Sequence, residues 1–143
     1  MYAEAEKQII ERLRATLPST VHVDAVHDSD TAKDQRQRAP AVWVIYDGYT
    51  KGQSIPNNPG VQQIIQEWAV VIQTRSARGN GATGAARDEA SALAEQVIQA
   101  LLGFDLGRGK RLHLEEAAGP EYDAGYCFLP LAFAHATTFR GAP

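Results

Sequence analysis

The chain has 143 residues, 44% of them hydrophobic and 22% charged, with a formal net charge of −3. A chain of this length fits one domain, 1–143, and can bury about 70% of its unfolded surface without help from metals or disulfides. The acidic and basic residues are spread evenly over both halves, and no basic half advertises nucleic-acid binding.

The opening residues lack the basic-then-apolar order of a secretory leader. No apolar run approaches the roughly 20 residues that a membrane helix needs. A lone cysteine, Cys127, rules out an intrachain disulfide and favours a cytosolic origin. Residues 3–17 predict a helix, because Ala5, Ile9, Ile10, Leu13 and Leu17 recur at three- and four-residue spacing. Glu4 and Glu6 suit its positive end, and Pro18 stops it. Residues 21–26 read as a short strand. The polar run HDSDTAKDQRQR (27–38) reads as a mobile loop. Residues 40–46 are apolar on both faces, which predicts an inner strand. The Gly-, Pro- and Asn-rich stretch 48–60 predicts a long loop.

Residues 61–75 predict the next strand, antiparallel to 40–46, with Trp68, Val70 and Ile72 on one face and Ala69 and Val71 on the other. A glycine-rich link follows, and then a helix over 85–102. Its stripe runs through Ala86, Ala90, Leu93, Ala94, Val97, Ile98, Leu101 and Leu102, with Gly103 as its cap. Residues 111–116 predict a short strand and 121–139 a long one. Pro130 donates no ladder hydrogen bond, so the long strand is expected at an edge, or bulged or bent there. The expected fold is α+β: a mostly antiparallel sheet of about five strands with two helices packed on it.

Candidate chemistry is sparse. Gly79–Gly84 matches G-x-G-x-x-G, and Arg75, Arg78 and Arg87 surround it, so a small ligand or nucleotide bound at this loop is the alternative function. The fingerprint also asks for a tight turn after a parallel strand, and residues 75–78 separate the strand from the first glycine. His22, Asp24, His27, Asp28 and Asp30 match no specific metal motif. Cys127 and His135 are eight residues apart on one strand, too far to form a catalytic pair. Glu115, Glu116, Glu121 and Asp123 flank Gly119-Pro120 and read as a solvated turn, and the strand aromatics Trp43, Tyr46, Trp68, Tyr126, Phe128 and Phe133 read as core. No catalytic residue, cofactor or metal is expected.

The order of elements resembles the tail terminator, or tail completion, proteins of long-tailed bacteriophages and prophages. Three stretches carry the resemblance. They are the first helix followed by a strand and PAVWVIYDG (40–48), then EWAVVIQTRS (67–76) leading through a glycine-rich link to a helix ending ALLGF (100–104), then YDAGYCFLPLAFAHATTF (122–139). The resemblance implies a structural virion protein of the tail, not an enzyme, made in the bacterial cytoplasm. It further implies a homo-hexameric ring that stops growth of the tail tube and meets the head connector. The expected partners are thus the chain itself, the tail tube protein and the connector, with neither membrane nor direct nucleic-acid contact. Contact residues are expected in the two long loops: Tyr49, Lys51, Asn57 and Asn58 in one, and Arg75, Arg78 and Asn80 in the other.

Overall fold

The computed structural model describes residues 2–53, 57–76 and 84–143. In chain order the elements are α1 (Ala3–Thr16), β1 (His22–Ala25), α2 (Ser29–Asp34), a 3-10 turn (Arg36–Arg38), β2 (Ala41–Lys51) and β3 (Val61–Arg75). They continue with α3 (Gly84–Leu101), β4 (His113–Glu115), β5 (Glu121–Asp123) and β6 (Tyr126–Arg140). The sheet order is β1-β2-β3-β6-β4, with β5 also paired to β6. Among the described residues, only the β1–β2 pairing is parallel. The α+β reading holds, with six strands instead of about five and with a third, short helix.

One face of the sheet is closed by α1 and α3. Ile9 and Leu13 of α1 and Ala90, Leu93 and Val97 of α3 pack on Val42, Val44, Trp68, Val70, Ile72 and Phe133. Alanines at 86, 90 and 94 let α3 lie close, and Thr74 Oγ1 donates to the Ala86 carbonyl to fix its first turn. Gly103, at φ +76°, takes the left-handed conformation expected of the residue that ends this helix. Leu102 departs from the predicted stripe: it sits past the last helical turn and is 55% exposed.

The other face has a smaller cluster of Ala41, Trp43, Ile45, Val71 and Phe128, with Ala32 of α2 set into it. Residues 27–38 are therefore not a loop. Asp28 caps α2 by accepting from the Thr31 amide at 2.8 Å. Lys33 and Arg36 then tie the segment to Glu121 (2.7 Å) and Asp123 (3.3 Å) on β5. A polar run hides a helix here because a single alanine supplies its contact with the core and ion pairs supply the rest.

Three further expectations are corrected. Residues 48–51 are strand, because a bulge at Asp47 lets β2 continue: Tyr46 faces Trp68 and Gly48 faces Glu67. Residues 121–139 are not one strand but a tight hairpin of β5 and β6, turning at Ala124 (φ 50°) and Gly125 (φ 84°), the pair of positive φ values of a type I′ turn. Finally, β6 is not simply an edge. It pairs with β3 along its whole length, while β5 covers 126–128 and β4 covers 132–134 on its outer side. Pro130 falls in the gap between them, where no outer strand asks for its missing N–H.

Candidate assembly surfaces

Beyond the bulge, β2, β3 and β6 run on as a three-stranded ribbon. The outer neighbours stop short of it, since β1 pairs only residues 41–44 of β2 and β4 only residues 132–134 of β6. Both edges of the ribbon, 48–51 and 135–140, thus keep backbone groups that no described strand pairs, the usual template for adding another strand. Tyr49 (59% exposed) and Phe139 (43% exposed) stand on these edges, whose only charged residues are Lys51 and Arg140.

The ribbon is stiffened from within. Tyr46 Oη donates to Gln66 Oε1 at 3.0 Å, and Gln66 Nε2 donates to Thr137 Oγ1 at 3.0 Å. His135 lies beside Thr137, with 3.5 Å between Nδ1 and Oγ1. Its ring is stacked on Trp68 with centroids 6.4 Å apart. Burial, with the Lys110 charge behind it, holds the His135 pKa below its ordinary value, so the ring is neutral. A neutral imidazole keeps this polar layer free of uncompensated charge.

The expected contact residues divide between the two ends of β3. Tyr49 and Lys51 are exposed strand residues of the ribbon instead of loop residues. Asn57 (φ 62°) and Asn58 are exposed in the turn that leads into β3, where the Asn58 carbonyl accepts from the Val61 amide at 3.2 Å. Arg75 closes β3 at its far end, with its guanidinium 6.0 Å from the Tyr126 ring centroid. Tyr49 and Lys51 pair with Gln66 and Ile64, which puts them about 30–36 Å from Arg75, and the Asn57-Asn58 turn before Val61 lies about 45 Å or more from it. Arg78 and Asn80 lie outside the described residues, as does most of Gly79–Gly84.

Two charged features give no signal as motifs in the sequence. The first is a hollow of about 360 Å³ lined by Asp47, Glu67, Trp68, Glu115, Glu116, Ala132 and Phe133. Desolvation alone raises the Asp47 pKa. These carboxylates are scattered over three segments, and only the bulge and the β4 pairing bring them together. The second is a finger, residues 103–112. Its base is closed by Gly103 N–H to Leu112 O (2.8 Å) and Leu112 N–H to Phe104 O (3.0 Å). Leu106 and Leu112 root it in the helix-side core, and Gln8 of α1 donates to the Leu106 carbonyl. Gly107, Arg108 and Gly109 at its tip all have positive φ. Glycine on either side of a basic residue is the one legible sign of such a tip.

The groups weighed for other chemistry are accounted for locally. Asp24 and Asp28 accept from nearby backbone amides, and the described residues hold no cluster of three or more metal-ligating groups. Cys127 is buried and its thiol pKa is raised by that burial, the behaviour of a small hydrophobe. β3 is antiparallel to both of its neighbours, unlike the first strand of a dinucleotide-binding unit. Among the described residues, no helix is long and apolar enough to cross a membrane.

An α+β subunit with projecting ribbon and finger, open sheet edges and opposed charged surfaces is organised for assembly. Its sequence matches the family model described as phage tail terminator protein over residues 2–143, and the chain belongs to that family. It is a structural protein of the virion tail and assembles with other tail and virion proteins. No curated protein matches it. A solved structure titled "Virion of native gene transfer agent (GTA) particle" contains a chain of similar fold, with a TM-score of 0.51 at 20% identity, over 97% of this chain and 95% of that one.

Proposed function

We propose that the protein is a non-catalytic, ring-forming terminator, six copies of which cap the tail tube and present a surface to the head connector. The observation that carries this reading, within the family, is the unbroken β3. It holds the open ribbon at one end and Arg75 with the glycine-rich link at the other. A subunit with contact elements about 30–45 Å apart along one strand can touch one partner below and another above. In this reading Tyr49, Lys51, Asn57 and Asn58 meet one of them, and Arg75, Arg78 and Asn80 the other. A closed ring also caps a polymer without seeding more of it, because head-to-tail contacts that close leave no free end.

The test is solution mass by light scattering over a concentration series, with and without purified tail tubes. A discrete species near six subunits, free or on tubes only, is expected. A monomer at all concentrations that ignores tubes would overturn the reading.

A further inference from the structure

The finger and the hollow lie on opposite sides of the sheet. The finger packs on the helix side, through Leu106 and Leu112. Strand residues alternate faces, so Glu67 and Ala132 point away from the side on which Trp68 and Phe133 meet the helices. The finger tip exposes Arg108, while Lys110 is half-buried with its charge near His135, and neither forms an ion pair with any described residue. Arg111 is occupied by Asp105 (3.8 Å) and the Gly103 carbonyl (2.8 Å). In the hollow, Glu115 reaches His113 at 2.7 Å, while Asp47, Glu67 and Glu116 form no ion pair with any described residue. The same chain therefore carries a rigid cationic projection and an anionic recess that its described residues do not satisfy.

We infer that the Arg108–Lys110 tip of one copy docks on the open sheet face of a second copy, in the hollow formed by Asp47, Glu67, Glu115 and Glu116. The charges are complementary in sign, and among the described residues no Lys or Arg lines the recess, where only Glu115 has a basic neighbour, His113. Because the two surfaces lie on opposite faces, the contact cannot be a twofold one in which a patch meets itself. It is head-to-tail, the kind that repeats from copy to copy until it closes. The tip is suited to the role because its conformation is already fixed. Lys110 N–H donates to the Gly107 carbonyl (3.1 Å), and Leu106 N–H to the Lys110 carbonyl (2.9 Å). Little ordering entropy then opposes docking. The inference deepens the terminator reading and rests on it for the ring, while naming the surfaces that would join the copies.

The experiment uses two full-length double variants, Arg108→Glu with Lys110→Glu, and Glu67→Lys with Glu116→Lys. Folding is checked by circular dichroism. Should either fail to fold, Arg108→Gln with Lys110→Gln and Glu67→Gln with Glu116→Gln take their place in the separate-variant assay. Self-association is measured by sedimentation velocity at low and high salt, free and with tail tubes. Each variant alone is expected to associate at least about 100-fold more weakly than the unmodified chain, since the acidic finger meets an acidic recess in the first and the second recess has lost its net negative charge. Mixed in equal amounts, the variants are expected to assemble better than either alone, because the basic finger of one meets the acidic recess of the other and its acidic finger meets lysines at 67 and 116 instead of glutamates. Variants that associate as well as the unmodified chain, or a reversed mixture no better than its parts, overturn the interface. If such variants still form rings that cap tubes, the terminator reading survives without it. An unmodified chain that neither self-associates nor binds tubes overturns both.

Discussion

The two faces of the sheet are built from the same three long strands, yet they are covered by different means. On the helix side, α1 and α3 bring complete aliphatic stripes down onto Val42, Val44, Val70 and Ile72, and the contact is apolar. On the other side α2 and the 3-10 turn after it bring one buried alanine, an N-cap and two exposed ion pairs, and part of the face is left open around the acidic hollow. Stabilisation scales with the apolar area buried, whereas exposed ion pairs contribute little. The helix side should therefore hold the fold, and the other side should be free to serve contacts.

The largest effect that tests this contrast is expected at Leu13, which is fully buried between α1 and the sheet. Leu13→Ala leaves a cavity and should cost about 2–5 kcal/mol in urea unfolding. A loss below about 1 kcal/mol would mean that the helix layer is not the main support. Next comes Trp43 on the opposite face, whose indole Nε1 donates to Gln73 Oε1 at 2.6 Å inside the sheet. Trp43→Phe keeps most of the ring and strands a buried amide oxygen, at an expected cost of about 1–3 kcal/mol. The same unfolding assay checks it. A Trp43→Phe cost above that of Leu13→Ala would invert the ranking of the two faces.

How much of this is legible in the sequence follows the same division. Helix-side elements announce themselves, because the Ile9–Leu13–Leu17 and Leu93–Val97–Leu101 spacings exist only to bury a stripe. The strand alternation at 68–72 is legible for the same reason. What escapes is structure held by polar means. The segment 27–38 has too few apolar residues to show a period, and its docking depends on Glu121 and Asp123, nearly ninety positions away. The bulge at Asp47 hides because the apolar run ends at Tyr46 and the polar residues after it read as loop, and the type I′ turn at Ala124-Gly125 hides because two residues reverse the chain inside a run that reads as one strand. The acidic hollow cannot be read at all, because its carboxylates become neighbours only through the register of β2, β3, β6 and β4.

A pH series sharpens the comparison further, since one titratable group on each side is perturbed in the opposite sense. His135 on the helix side has a folded pKa below its ordinary value of about 6.5. The unfolded chain then binds protons that the folded chain refuses, so stability falls as pH drops below about 6.5 toward the folded pKa. His135→Gln should flatten the change in unfolding midpoint between about pH 7.5 and pH 5.5. Asp47, on the other side, has a raised folded pKa. Its folded form takes up protons more readily, so stability declines as pH rises from about 3.8, its ordinary value, through its raised folded pKa. Asp47→Asn should leave the neutral-pH midpoint unchanged or slightly higher, and a drop would mean that the carboxylate has a partner within the subunit.

The smallest effect is expected at Lys33. Its ammonium pairs with Glu121 at 2.7 Å and sits 5.6 Å from the Phe128 ring centroid, but both partners of the ion pair are largely exposed. Glu121 raises the lysine pKa chiefly through that hydrogen bond. Because screening and side-chain entropy offset most of such a pair, Lys33→Met should leave the global unfolding midpoint within its experimental scatter. It should instead show locally, as faster hydrogen exchange of the α2 amides, which open without the rest of the fold when their docking is weakened. Added salt should speed the same amides in the unmodified chain and not in the variant. A clear loss of global stability would instead make α2 part of the cooperative core, and the lightly covered face would then support the fold no less than the helix side does.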